Sequence, residues 1–274
     1  MSDIVLRLES VSHVFHPGTP SEVRALDGVD LELERGTFAV LLGTNGSGKS
    51  SLLNVIAGSL ELTGGRVHLD GADLTRWPEQ KRSRLISRVF QSPFTGTASD
   101  LSVAENLVLA GKRGGRRLLR RALGREQRRT LQGLVAQLGM RLEDRLDTPI
   151  GLLSGGQRQA LTVLMATMVR PTLLLLDEHT AALDPRSAEQ VIKLTRAAIT
   201  AGGLTTLMVT HSLSQAVQLG DRVLVMHRGK VVYDLDDLRR RRLAEDDLLQ
   251  LFDQLRWADR LDVSAAEMLQ RTYV

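Results

Sequence analysis

Polar and apolar residues alternate over Val29-Asp30-Leu31-Glu32-Leu33-Glu34, as in a strand with one buried face. The apolar run over 38–42 reads instead as a strand buried on both faces. Arg35-Gly36 is the turn between them, so residues 29 to 42 and, upstream, 4 to 9 are expected to form short strands. From Lys49 the spacing becomes helical and stops near Gly58. Gly64-Gly65 then opens another strand pattern, Arg66-Val67-His68-Leu69-Asp70-Gly71.

Over about 92 to 165 the strand texture disappears. Helical patterns run over 103–110 and 131–138, with an Arg-rich stretch between them, and together they predict a helical lobe inserted between strands. Two buried-type strands follow, over 173–177 and 204–210, joined by a helical segment over 185–201. That order implies parallel neighbours in a sheet covered by helices. Residues 222–227 and 230–234 flank Arg228-Gly229 as a hairpin. Near the end, Leu248-Leu249-Gln250-Leu251-Phe252 with Leu255 and Trp257 reads as an amphipathic helix packed on its own domain, with dimer contact as the other reading.

Composition narrows the class. A chain of 274 residues suits one large α/β domain with a lobe set into it. The absence of cysteine removes disulfides, thiol nucleophiles and zinc–thiolate sites, and fits a cytosolic protein. Met1-Ser2-Asp3-Ile4-Val5 has neither the basic leader nor the apolar core of a secretory signal. No stretch approaches the roughly 18 apolar residues of a spanning helix, so any membrane role is expected to be borrowed from a partner. The net charge is +4, and only five of the 36 basic residues are Lys. Such an Arg bias reflects genome composition as readily as phosphate binding, so no nucleic-acid partner is expected. The Arg-rich segment from Arg113 to Arg129 has two readings, a solvated face or a contact with lipid headgroups or an acidic partner. Arg239 to Arg242 has the same two.

The chemistry is concentrated in three motifs. Gly43-Thr44-Asn45-Gly46-Ser47-Gly48-Lys49-Ser50, with Ser51 beside it, lies between an apolar strand and a helix. That is the setting a phosphate-binding loop requires. Its glycines let backbone N–H groups turn inward as an anion nest, and the helix adds its positive end. Lys49 is placed to reach the β- and γ-phosphates, and the Ser50 hydroxyl to ligate Mg²⁺. The second motif, Leu173-Leu174-Leu175-Leu176-Asp177-Glu178, ends a buried strand in two carboxylates. Asp177 suits Mg²⁺ coordination, and Glu178 suits a general base acting on water. The third, Leu153-Ser154-Gly155-Gly156-Gln157, places a polar cap and glycine amides at a helix N-terminus, a second anion site.

This last pentapeptide, between the phosphate loop and the acidic strand, resembles the signature motif of ABC ATPases. The resemblance covers about residues 4 to 234. It implies an α/β P-loop NTPase fold, the ABC-type nucleotide-binding domain with a mixed β core, an inserted helical subdomain and an antiparallel β region. That domain is expected over 1–240, with the helical subdomain at about 92–165 and a short C-terminal helical extension over 241–274. It further implies that Ser154, Gly155, Gly156 and Gln157 serve the γ-phosphate of ATP held by an opposite subunit, so that a head-to-tail dimer completes two sites. Gln91 resembles the Q-loop glutamine, which senses Mg²⁺ and the attacking water and touches the transport partner. His211 resembles the switch histidine and Asp184 the D-loop aspartate. Phe15 lies where the family stacks an aromatic on adenine, against the plainer reading of a core-facing Phe.

His179 departs from the family, which usually has Pro after the acidic pair. It is either a subgroup variant without catalytic role or a neighbour that tunes Glu178. The stretch from Asp177 to Pro185, together with Leu204-Thr205-Thr206-Leu207-Met208-Val209-Thr210-His211, resembles ATPases of a bacterial uptake subgroup assigned to amino acids or related compounds. The expected function is therefore ATP hydrolysis that energises an importer of small solutes, with ATP and Mg²⁺ as cofactors. The expected partners are a second ATP-binding subunit, taken as an identical copy, membrane permease subunits and a solute-binding protein. The expected location is the cytoplasmic face of the inner membrane, peripherally. Alternatives are a separate-subunit exporter ATPase, or a soluble ABC ATPase acting on DNA or ribosomes.

Overall fold

A computed structural model describes residues 3–113, 124–236 and 245–255. The chain opens with two antiparallel strands, β1 (Ile4–Phe15) and β2 (Val23–Glu34), followed by β3 (Phe38–Gly43) and helix α1 (Lys49–Ala57). Then come β4 (Gly64–Leu69), the short β5 (Ala72–Asp73), the single turn α2 (Glu79–Arg82) and β6 (Ile86–Val89). Helices α3 (Val103–Gly111), α4 (Arg125–Ala136) and α5 (Gly155–Met168) follow, with 3-10 turns at Glu143–Arg145 and Ile150–Leu152. The remainder is β7 (Leu173–Asp177), α6 (Pro185–Gly202), β8 (Thr206–Val209), α7 (Leu213–Leu219), β9 (Arg222–His227) and β10 (Lys230–Leu235). A last helix, α8, runs over 245–255.

The first two strands are longer than the expected 4–9 and 29–34. Their pairing shifts register between Leu8 and Val11 and again on either side of His13, and Ser10 adopts φ 47°. Between Leu8 and Val11 the buried positions change parity, from Leu6 and Leu8 to Val11 and His13, so simple alternation fails while the ladder continues.

The strands form two sheets. One is antiparallel, in the order β2-β1-β4-β5. The other runs β10-β9-β3-β8-β7-β6, parallel from β9 to β6 with β10 added antiparallel as a hairpin at its edge. Fully apolar strands belong in such a sheet because both of its faces are covered. Along β3, Phe38, Val40 and Leu42 enter one core while Ala39 and Leu41 enter the other. Along β7, Leu174 and Leu176 join the first core and Leu173 and Leu175 the second. The first core holds residues of α3, α4, α5 and α6, including Leu107, Leu131, Leu161 and Val191. The second holds Leu52, Leu53 and Ile56 of α1 and the inward residues of the antiparallel sheet.

Leu248 of α8 is fully buried in the first core, with Leu251 and Phe252 against it, so this helix packs on its own domain as expected; Trp257 lies outside the described residues. Arg113 does not lie on a solvated face, because its guanidinium is buried and donates to the carbonyls of Ala166 (3.2 Å) and Val169 at the end of α5. Arg128 pairs with Asp147. The rest of that Arg-rich stretch from 114 to 123, and residues 239–242, lie outside the described residues. Among the described residues no helix is long and apolar enough to cross a membrane.

Candidate active site

Parallel strands send their C-terminal ends to one edge of the sheet, where ligands bind in folds of this kind. Here β3 ends in the phosphate loop, β7 in Asp177-Glu178 and β8 just before His211, with β8 lying between the other two. A cavity of about 410 Å³ opens at this edge. It is lined by the loop from Asn45 to Ser51, by Glu178 and His211, and by Phe15, Val23 and Ala25 from the antiparallel sheet.

The loop is held from below by close approach. A Cβ on Gly43 would lie 2.4 Å from the carbonyl oxygen of Met226, and one on Gly48 the same distance from that of Ala25. Gly48 also takes φ 103°, which side chains rarely allow, so glycine is required there. The turn between β9 and β10 clasps the loop through Gly229 N–H donating to the Ser47 carbonyl at 2.9 Å. The Lys49 ammonium donates to the carbonyls of Gly43 (2.9 Å) and Thr44 (2.8 Å), so the side chain folds over its own loop. Burial lowers its pKa, and the nearby charges of Glu178 and Asp177 oppose that shift.

Glu178 leaves β7 with φ 44°, a left-handed conformation that costs a non-glycine residue about 1–3 kcal/mol. This kink turns it away from Asp177 and toward β8. Its Oε1 lies 2.6 Å from Nε2 of His211, and an ionised carboxylate only accepts, so Nε2 is the donor. The loop carrying His211 is braced by its neighbours. Thr210 donates to Gln215 Oε1 at 2.8 Å, and Gln215 reaches Thr180, two residues past Glu178.

Asp177 points elsewhere. Its Oδ2 accepts from Nη2 of Arg88 at 2.6 Å, and Nη1 of the same guanidinium donates to Asn54 Oδ1 of α1 at 2.6 Å. Neither Arg88 nor Asn54 was expected from the sequence. Nothing in the linear pattern marks them, since the pair spans 89 positions.

Phe15 is 37% exposed and opens on the cavity, so it is not a core-facing Phe. Its cross-strand partner Val23, 57% exposed, forms the adjoining wall, a residue that only the β1–β2 register reveals. The His13 ring meets Phe15 edge-on at 4.5 Å between centroids.

The other predicted positions are not at this cavity. Gln91 is exposed on the loop after β6 and does not line it. Ser154 caps α5 in a reciprocal box, its Oγ accepting from Gln157 N–H at 3.2 Å and its N–H donating to Gln157 Oε1 at 3.2 Å. Gly156 abuts α6, where a Cβ would lie 2.8 Å from Cβ of Ser187. Asp184 caps α6 by accepting from Ser187 N–H at 3.0 Å, and the Ser187 hydroxyl, followed by that N–H, lowers its pKa. Ser154, Gly155, Gly156, Gln157 and Asp184 thus sit around the starts of α5 and α6, and none of them lines the cavity over the phosphate loop.

The His179 ring bonds Thr195 rather than Glu178, which favours the reading of a subgroup variant over a tuning role. It is buried, and its Nε2 lies 3.2 Å from Oγ1 of Thr195 on α6. Thr195 already donates its hydroxyl proton to the Val191 carbonyl at 2.8 Å, so the imidazole is the donor. Burial pushes the pKa of His179 down to about 4.

This phosphate loop, acidic pair and histidine on a parallel sheet define a nucleotide-hydrolysing P-loop protein. The chain belongs to the ABC transporter family, whose model matches residues 26–181. It is 39% identical to the tyrosine transport ATP-binding protein of Clostridioides difficile over 251 residues, covering 91% of this chain and 99% of that one. The lipoprotein-releasing system ATP-binding protein LolD 1 of Caulobacter vibrioides is 35% identical, with 85% and 97% covered. Among solved structures, the dimeric post-hydrolysis cassette MJ0796 bound to ADP and Pi superposes with a TM-score of 0.73 at 26% identity, covering 85% of this chain and 98% of that one. The chain is thus an ATP-hydrolysing subunit that energises an ABC transporter.

Proposed function

We propose that this subunit drives a bacterial importer of small solutes, with amino acids or related compounds as the cargo class. The observation that carries the cargo reading is the near full-length identity with the tyrosine transport protein. The competing reading, export, draws on the identity with a lipoprotein-releasing ATPase.

The reaction follows from the cavity. The adenine rests on Phe15 beside Val23, and the phosphates lie over the amides of the loop from Gly43 to Gly48, with Ser51 at the helix start. Lys49 exchanges its loop carbonyls for the γ-phosphate oxygens. Glu178 takes the proton of the attacking water, and His211 fixes its carboxylate and faces the γ-phosphate. Ser154, Gly155, Gly156 and Gln157 complete the site of a second subunit, for which a copy of this chain suffices, with Asp184 linking the two sites. That none of them lines the chain's own cavity supports action in trans, as does the dimeric state of the MJ0796 cassette.

The residues fit Mg²⁺. Ser50 and Asp177 supply the hard oxygen donors that ion prefers, and among the described residues no group of three His, Asp or Glu makes a separate cage. When bound, the ion would neutralise charge on the phosphoryl oxygens. A metal role for Gln91 requires its loop to swing inward, and its exposure suits contact with a permease. The helical segment over about 92–165 carries that motion, on an ATPase domain over 1–240 with residues 241–274 as its extension. The complex would sit on the cytoplasmic face of the inner membrane, with a solute-binding protein outside.

Tagging the chain in its native host and identifying what co-purifies from membranes in mild detergent tests the reading. A multi-span permease with a solute-binding protein supports import. A permease that captures lipoproteins, without a binding protein, supports export. Recovery with ribosomes or DNA alone overturns both.

A further inference from the structure

Arg88 and Asp177 stand on adjacent parallel strands, and their contact is fixed by register. Arg88 pairs with Leu175, so Asp177, two residues on, lies on the same face of the sheet. Both side chains are largely enclosed, 13% and 15% exposed. The guanidinium is held at both ends, by Asp177 on β7 and by Asn54 on the helix that leaves the phosphate loop, and it lies 4.7 Å from the Phe90 ring centroid. Its Nε is buried without a partner. A half-buried ion pair with an unsatisfied donor adds little net stability, and an apolar pair of similar volume often serves as well. Stability alone therefore explains this arrangement poorly.

We propose that Arg88 is a resident counter-cation that occupies the Asp177 carboxylate and makes divalent-cation capture depend on nucleotide. This rests on the reading of Asp177 as the metal carboxylate. A guanidinium is a delocalised cation with several fixed donors, suited to holding a carboxylate and an amide oxygen at once. A free divalent cation reaching Asp177 meets a fixed positive charge that already holds one carboxylate oxygen, and its affinity falls. Nucleotide phosphates over the loop reverse the local sign and admit the cation. The site then loads with metal and nucleotide together, and a bare cation does not compete for it.

Electron paramagnetic resonance of Mn²⁺ with the full chain tests this, without nucleotide and with a non-hydrolysable ATP analogue. In the nucleotide-free protein, Arg88→Met should bind Mn²⁺ about tenfold more tightly than the parent, the scale expected from removing one nearby charge. Arg88→Lys should keep the weak binding, and adding Asp177→Asn to Arg88→Met should erase the gain. Thermal melts check that each variant folds; if Arg88→Met does not, Arg88→Gln carries the same comparison. Equal nucleotide-free affinities in the parent and the neutral variants overturn the proposal, and so does an Arg88→Lys that behaves like them. If Asp177→Asn leaves Mn²⁺ binding with the analogue unchanged, the assignment of Asp177 itself fails, a result distinct from failure at Arg88.

Discussion

Nε2 of His211 lies 2.6 Å from Oε1 of Glu178, joining the ends of two neighbouring strands across the mouth of the nucleotide cavity. The contact exists because Glu178 takes a left-handed turn immediately after β7. In the proposed reaction it would hold the carboxylate in place before substrate arrives, the pre-organisation that proton abstraction needs. His211→Ala should lower the rate of ATP hydrolysis about 100-fold, the range expected when a positioned acid–base partner is lost. Nucleotide affinity should change little. Steady-state phosphate release alongside equilibrium binding separates the two effects.

Replacing Glu178, the proposed base, should do more. Glu178→Gln keeps the shape and the hydrogen-bonding capacity but cannot accept the water's proton. The variant is expected to bind ATP, stop hydrolysing it and accumulate as an ATP-bound dimer on size-exclusion chromatography. Hydrolysis at the parent rate would mean that another group is the base.

His179 makes stability depend on pH. Its folded pKa of about 4 lies below the ordinary value of 6.5, because burial disfavours the charged ring. Between those values the unfolded chain binds the proton and the folded chain does not, so stability rises with pH across that window. Below it, the loss approaches about 3 kcal/mol. Denaturant titrations from pH 4 to 7 should show this slope, and His179→Gln, if it folds, should flatten it.

Gly156 leaves no room for a methyl group. Its Cβ position lies 2.8 Å from both Cβ and Oγ of Ser187, one on a rigid helix start. Gly156→Ala should destabilise the chain by about 1–3 kcal/mol, as overpacking does. Adding Ser187→Gly should recover most of that in a thermal melt. A single variant as stable as the parent would show that α5 and α6 slide apart freely.

Phe15→Ala should weaken ATP binding by about fivefold, the loss of about 1 kcal/mol of stacking, while Phe15→Trp should keep it. Fluorescent-nucleotide titration measures both.

The linear order of residues sufficed wherever the chemistry is consecutive. Gly43 to Ser50 reads as an anion nest because its glycines free the local backbone, which needs no distant partner. The buried strands at 38–43 and 173–177 were legible because a run with no polar partner fits only a sheet covered on both faces. Asp177 and Glu178 were marked by their place at a strand end. The cap at Ser154 likewise lies within three residues of the group it binds.

Tertiary structure decided everything that depends on register and strand order. That β8 separates β3 from β7 puts His211 on Glu178, and no spacing in the chain encodes that insertion. Val23 reaches the cavity wall only through its pairing with Phe15, across bulges that hide the true length of β1. Sequence adjacency left His179 open as a subgroup variant or a tuning neighbour of Glu178; the fold turns its ring to a partner on α6 instead. Arg88 meets Asp177, 89 positions on, because the parallel register sets it beside Leu175, two residues before that carboxylate. Backbone conformation is set largely by near neighbours, whereas such pairings are chosen by the collective packing of both cores, which no local segment contains.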